Sequence, residues 1–243
     1  MERSHIPILV TRAEPGASET VARLQALGLM AIKTPVISVV PNGDVALPDL
    51  TDITGLIFTS ANGVRAFAER SSSRAHTAWC VGPATAAAAQ LADFKTVEES
   101  AGNALDLAAY ISERIAPSSR PLLHIANEAA KGDLKTALEE SGYVVKFCPL
   151  YRMERAKALS DEVLGILKAK IPTFVLLHSK KGAEAFAALS EPSLLNGITS
   201  VAISARAAQP LVELGLQSMH IATEPNEDGL FEALETAVAT LSA

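Results

Sequence analysis

The sequence predicts an α/β fold of two similar parallel-sheet domains. Three observations carry that expectation: a composition that demands a buried core, strand-like and helix-like patterns in alternation, and an internal repeat. The chain has 243 residues, 49% hydrophobic and 20% charged. At roughly 100–200 residues per domain this gives one large domain or two small ones with ample core. The apolar content excludes a disordered chain, and 14 Gly with 13 Pro exclude a collagen-like or low-complexity one.

Taken in order, the first strand candidate is Ile8-Leu9-Val10, followed by Glu14-Pro15-Gly16 and then Val21, Leu24 and Leu27 at helical spacing. Gly28 stops that helix, and Met30-Ala31-Ile32 opens the next strand. Further strand candidates are Leu56-Ile57-Phe58, Trp79-Cys80-Val81, Leu122-Leu123-His124, Val144-Val145, Phe174-Val175-Leu176-Leu177 and Val201-Ala202-Ile203. Continuous apolar runs of this kind suit parallel strands buried on both faces. Helical patterns fill the intervals, over 62–70, 83–91, 134–140 and 230–240, which points to parallel sheets with helices on both sides.

The repeat strengthens the pattern. Placing Pro7 on Pro121, an offset of 114, brings Glu14 onto Glu128, Leu24 onto Leu138, Gly28 onto Gly142 and Pro35 onto Pro149. A second block, Phe58-Thr59-Ser60-Ala61-Asn62-Gly63 and onward to Phe67-Ala68, matches Leu177-His178-Ser179-Lys180-Lys181-Gly182 to Phe186-Ala187 at an offset of 119. The last helices also correspond, with Leu105 over Leu230. Whether each opening strand–helix–strand unit joins its own half or the other is open at this level.

Charge and cysteine usage bound the function. Lys+Arg 21 against Asp+Glu 27 gives a net charge of -6, which argues against a nucleic-acid or anionic-membrane binder. Cys80 and Cys148 each sit in an apolar run and read as buried reduced thiols. The run after Met1–His5 is too short for a signal-peptide core, and no apolar stretch reaches the ~18 residues of a membrane span. A cytoplasmic protein is the expectation.

No Gly-x-Gly-x-x-Gly, Walker loop or Gly-x-Ser-x-Gly elbow is present, and His5, His76, His124, His178 and His220 lack metal-ligand spacing. What is present is a set of strand-to-helix turns rich in small hydroxyl residues: Thr11-Arg12, Thr59-Ser60-Ala61-Asn62, Val81-Gly82-Pro83-Ala84-Thr85 and His178-Ser179. Ligands bind at such carboxyl ends of parallel strands, where helix N-termini favour carboxylate or phosphate. Plain helix capping explains Ser60, Asn62, Thr85 and Ser179 equally well. Tyr151 has no tyrosine partner in the repeat, since Ile37 stands opposite it. A phenol there either donates a proton in a cleft or ties down a linker through its apolar body and polar tip. Lys180, Lys181, Arg152 and Arg155 read as solvated charges near the same region.

The ordered set Ile8-Leu9-Val10-Thr11-Arg12, Phe58–Val64, Val81–Thr85, Leu150-Tyr151-Arg152 and Ala222-Thr223-Glu224-Pro225 resembles the uroporphyrinogen-III synthase family over nearly the whole chain. The resemblance implies two α/β domains joined by a two-stranded linker, with an active site in the cleft. One domain would comprise 1–36 plus 156–243 and the other 40–150, with linkers near 36–40 and 150–155. It implies cofactor-free cyclisation of hydroxymethylbilane, a linear tetrapyrrole polycarboxylate, with inversion of the last pyrrole ring and loss of water. It further implies a monomer that acts without nucleic acid or membrane, with transient hand-over from the preceding enzyme.

The family's tyrosine falls on Tyr151, the implied catalytic acid. The implied substrate contacts are Thr11, Arg12, Thr59, Ser60, Asn62, Gly82, Thr85, Lys131, His178, Ser179 and Arg206. Lys131 stands where the family often carries Arg, and Ser204-Ala205-Arg206-Ala207 replaces its usual Gly-Pro-Thr-Thr, so these two cations are substitutes for absent contacts. The competing class is a non-catalytic two-lobed α/β protein that closes on a small anionic metabolite. A degenerate nucleotide-binding enzyme is a third reading.

Overall fold

A computed structural model of the chain describes residues 5–130 and 132–241. Its contacts divide it into two compact units, one formed by the residues up to Ser38 together with those from Glu154 onward, the other by Val39–Met153. The chain therefore passes from one unit to the other along two segments, which are strands β3 (Ile37–Pro41) and β8 (Val145–Arg155). Val36 accepts from the Ala156 amide at 3.0 Å and Leu150 from the Asn42 amide at 2.8 Å, so the two segments run antiparallel. Every other strand pair described is parallel.

The first unit holds a five-stranded sheet in the order β11-β10-β9-β1-β2. Its strands are β1 (Ile8–Val10), β2 (Ala31–Lys33), β9 (Thr173–Leu177), β10 (Ile198–Ala202) and β11 (Met219–Ile221). The second unit holds β4 (Gly55–Phe58), β5 (Thr77–Val81), β6 (Val97–Ser100) and β7 (Leu122–Asn127), with the sheet order β3-β8-β7-β4-β5-β6. Read from the β6 edge, the second sheet repeats the first strand for strand and adds β3.

The register repeats too. Ile8 faces Ala31 and Phe174 in one sheet; Leu122 faces Val145 and Gly55 in the other. Ser200 faces Met219 as Ala78 faces Val97. The sequence repeat is thus a structural duplication in which each βαβ opening unit pairs beside strands from a distant stretch of chain.

The helices follow the same plan. In the first unit α6 (Asp161–Lys168), α7 (Lys180–Ala188) and α8 (Ala205–Glu213) bury one sheet face around Leu9, Val175 and Phe186. Helices α1 (Gly16–Ala26) and α9 (Glu227–Leu241) cover the other, around Val10, Phe174 and Leu234. In the second unit α2 (Ala61–Arg70) and α3 (Gly82–Leu91) pack on Phe58 and Phe67, while α4 (Ala104–Arg114) and α5 (Asp133–Glu140) pack on Ile57 and Leu138. Burial on both faces is why β4 and β9 are apolar at every or nearly every position, while β10 buries Thr199 and Ser200 among its apolar residues.

Local signals set the helix limits. Ser60, Asn103, Ser160, Ser179 and Ser204 each accept an amide from the first turn of the helix they precede. Gly28 (φ 74°) and Gly142 (φ 88°), equivalent in the repeat, take the left-handed conformation just past α1 and α5. The final helices correct the expected pairing. Asn226 caps α9 through the Gly229 amide as Asn103 caps α4 through Asp106, which sets Leu107 rather than Leu105 against Leu230. Leu107 and Leu230 are fully buried, whereas Leu105 is 52% exposed.

Cys80 and Cys148 are free and buried, and burial, with the charge of Glu99, pushes the Cys80 thiol up to about 12. Among the described residues no helix is long and apolar enough to cross a membrane.

Candidate active site

Both sheets end on turns that carry polar side chains, and each unit gathers its own cluster there. In the second unit the cluster centres on Tyr151. This residue lies on β8 beside the end of β7, where it pairs with Asn127 across a register shift and its carbonyl accepts the Glu128 amide at 2.8 Å. The ring is 4% exposed and belongs to the core cluster with Phe58, Ile125 and Leu150. Burial raises the phenol's pKa above its ordinary value, outweighing hydrogen bonding from the Ser60 side chain and the Asn127 backbone amide, which favours the ionised form. The result is a phenol that keeps its proton at neutral pH, beside two donors able to stabilise the oxyanion once the proton has left.

Ser60 shows why capping and chemistry are not alternatives. Its Oγ accepts the Asn62 amide at 3.2 Å at the start of α2, which fixes the oxygen and leaves the hydroxyl proton for the phenol. Helix α2 can sit this close because residue 63 is glycine: a Cβ there would stand 2.8 Å from the Ile125 carbonyl oxygen. Asn62 accepts from Arg65 at 3.1 Å on the surface of the same helix. Thr59 lies 3.4 Å from His124 Nε2. Burial lowers the pKa of His124 to about 4, so this histidine is neutral at pH 7. Gly82 opens α3 with φ 69°, and Thr85 is buried one turn into that helix. Lys131 lies outside the described residues.

In the first unit the cluster centres on Glu227, at the start of α9. Its Oε2 is 2.9 Å from Arg12 Nη1 and 3.3 Å from His178 Nε2, and its Oε1 accepts the Thr20 hydroxyl at 2.6 Å. Burial works to raise the Glu227 pKa, but the adjacent His178, the Thr20 hydroxyl and the charge of Arg12 overcome it and hold the carboxyl down to about 2. Thr11 is buried and donates to the Leu176 carbonyl at 2.6 Å, so its hydroxyl fastens β1 to β9. Ser179 accepts the Gly182 amide at 3.1 Å and caps α7. Arg206 is exposed near the start of α8, with no ion-pair partner among the described residues.

The structure therefore brings Tyr151 to Ser60 and Arg12 to His178, and shows two partners that residue type alone did not reveal, Asn127 and Glu227. Glu227 is two residues beyond the Thr223-Glu224-Pro225 stretch, but lies far along the chain from Arg12, and no spacing rule joins the two. Among the described residues no group of His, Cys, Asp and Glu forms a metal-binding cluster.

A duplicated pair of parallel α/β units, each with polar side chains gathered where its strands end, defines the fold class: a two-unit parallel-sheet α/β protein. The comparisons with known proteins specify it. A model of the family described as uroporphyrinogen-III synthase HemD matches residues 18–232, and the chain belongs to this family. A search of curated protein sequences finds no match. Among solved structures, uroporphyrinogen-III synthetase from Helicobacter pylori 26695 is similar with a TM-score of 0.63 at 18% identity, covering 96% of this chain and 99% of that one. A mutant uroporphyrinogen III synthase from the extremely thermophilic bacterium Thermus thermophilus is similar with a TM-score of 0.51 at 16% identity, covering 98% and 99%. At these identities the likeness to the two solved proteins is one of fold.

Proposed function

We propose that this chain performs the family reaction, closing hydroxymethylbilane to uroporphyrinogen III, with Tyr151 as its general acid. The observation that carries the assignment is the phenol's setting: buried, protonated at neutral pH, and flanked by the Ser60 side chain and the Asn127 amide. Dehydration of the bilane needs a proton on the departing hydroxyl. The Tyr151 O–H gives that proton, the C–O bond breaks, water leaves, and the electron-rich pyrrole stabilises the cationic carbon. Ser60 and Asn127 then hold the phenolate until ring closure returns a proton. Because the pyrrole supplies much of the driving force, the remaining work is to fix a flexible chain so that the inverted ring closes.

The substrate's acetate and propionate groups fall to the polar turns. Arg12 and His178 in the first unit, and Thr59, Asn62, Gly82 and Thr85 in the second, are proposed contacts, with Arg206 as an exposed cation in reserve. Thr11 has already given its hydroxyl proton to the Leu176 carbonyl, so a contact it makes to a substrate carboxylate uses its backbone amide, whereas Ser179, like Ser60, only accepts an amide as a cap and keeps its O–H to donate. Two free thiols, Cys80 and Cys148, support a cytoplasmic, reducing setting. Monomeric action with hand-over from the preceding enzyme rests on the family alone.

The test supplies fresh hydroxymethylbilane and separates the oxidised porphyrin isomers. Isomer III from the wild type, with turnover lost in Tyr151→Phe, supports the assignment. Tight, saturable binding of a metabolite without turnover would instead favour an anion-binding protein.

A further inference from the structure

The Arg12 cluster contains more order than an ion pair requires. Glu227 and Thr20 engage the guanidinium only at Nη1, at 2.9 and 3.4 Å, leaving Nε and Nη2 without a partner among the described residues. That unengaged edge is the one that takes a carboxylate through two parallel N–H···O bonds. Its seat is shaped by a missing side chain. A Cβ on Gly16 would collide with Nε and stand 2.5 Å from Cζ and 2.6 Å from Nη2, so the guanidinium plane lies face-on against the start of α1.

Glu227 does not simply neutralise Arg12, because Thr20 and His178 share the same carboxylate. The His178 side chain is 8% exposed and its Nε2 lies 3.3 Å from Glu227 Oε2, yet both ring nitrogens are buried without a well-formed hydrogen bond. An arginine, a buried imidazole with an unsatisfied nitrogen and the positive end of a helix thus converge on one internal carboxylate, in a chain whose net charge is -6.

The geometry points to Arg12 as a bidentate subsite for one carboxylate of the bilane, with Glu227, Thr20 and Gly16 as the positioning residues that aim it. This inference rests on the tetrapyrrole reading given above. Glu227 touches no substrate; it fixes the end of the fork that the substrate does not use. Gly16 leaves the space in which the fork lies flat.

The test uses the full chain and four variants: Arg12→Ala, Glu227→Gln, Gly16→Ala and the Arg12→Ala/Gly16→Ala pair. Gly16→Ala is the discriminating one, since it removes no functional group, places a good helix former in the first turn, and displaces only the end of a flexible side chain. Each single variant should raise KM for hydroxymethylbilane about tenfold with little change in kcat, as loss of uniform carboxylate binding requires. Adding Gly16→Ala to Arg12→Ala should change KM no further, because both act through one guanidinium. Melting temperature and circular dichroism confirm folding. An unchanged KM in Gly16→Ala, or effects that multiply in the double variant, would overturn the subsite. Formation of isomer I alone by the wild type would instead overturn the underlying reading, so the two failures are distinguishable.

Discussion

Replacing Tyr151 by Phe removes one oxygen and leaves the ring in its core cluster with Phe58, Ile125 and Leu150. The structural cost is confined to two donors that lose an acceptor, the Ser60 hydroxyl and the Asn127 amide. Ser60 is partly exposed and its hydroxyl can turn to water, so what remains is the one hydrogen bond of the fixed Asn127 main-chain amide, about 1 kcal/mol. In a chain of this size that lowers the melting temperature by about 2–4 °C. The chemical cost is larger. A positioned general acid contributes about 10²–10⁴ in rate, and the lower end applies where the pyrrole already drives the hydroxyl out. A hundredfold loss is about 2.7 kcal/mol of barrier, clearly separable from the stability change. The assay follows isomer III formed from fresh hydroxymethylbilane by Tyr151→Phe and wild type, at saturating and limiting substrate. The expected result is a fall in kcat with KM retained. Turnover equal to wild type, with only the melting temperature changed, would show that Tyr151 ties the strand down and does no proton transfer.

The same phenol fixes the alkaline limb of the pH profile. With its pKa raised by burial, the acid form persists until pH exceeds the ordinary phenol value of about 10, so a Tyr151-dependent fall in kcat starting near pH 8 would contradict the assignment. Ser60→Ala should cost about 1 kcal/mol in urea unfolding through the lost cap and also lower kcat, since the phenolate loses a donor; a stability change with kcat intact would make Ser60 a cap only. Glu227, held down to about 2, stabilises its unit above the ordinary carboxylate pKa, and this contribution is lost as pH falls through about 2. Glu227→Gln should therefore be less stable than wild type by roughly 2 kcal/mol at pH 6, with the difference closing between about pH 4.5 and 2; a gap that persists at pH 2 would place the effect elsewhere. Gly63→Ala should destabilise by about 1–3 kcal/mol in denaturant, because the new methyl meets the Ile125 carbonyl, a backbone atom that cannot step aside.

How far the sequence reveals the molecule depends on which physical cause leaves a local trace. Strands buried on both faces write continuous apolar runs, and so β1, β4, β7 and β9 are visible as such. The edge strand β6, Val97-Glu98-Glu99-Ser100, needs no such run because only part of it is covered. β11 is hidden for the same reason, whereas the linking strand β3 falls where the family resemblance implies a linker near 36–40. The repeat is legible where glycines and prolines fix the backbone, as at Gly28 and Gly142, and drifts by two residues at the last helix, where Leu105 and Leu107 stand two apart in the first turn of α4 and the Asn103 cap settles the phase.

The candidate site divides along similar lines. Ser60 and Tyr151 stand out by residue type and place in the chain. That Ser60 can cap a helix and also face the phenol is a matter of how many bonds one oxygen forms, which sequence does not record. The hydroxyl of Thr11 resembles that of Thr59 on paper, yet one is tied to the Leu176 carbonyl and the other lies beside His124. Glu227 and Thr20 gain their roles from contacts spanning more than two hundred residues, and Asn127 acts through its main-chain amide, to which side-chain identity gives no clue.

Incubating the purified wild-type chain with newly made hydroxymethylbilane and resolving the oxidised products addresses the enzymatic assignment most directly. Uroporphyrin III should accumulate in excess, faster than the uncatalysed closure. Uroporphyrin I alone, at the rate seen without protein, would contradict it.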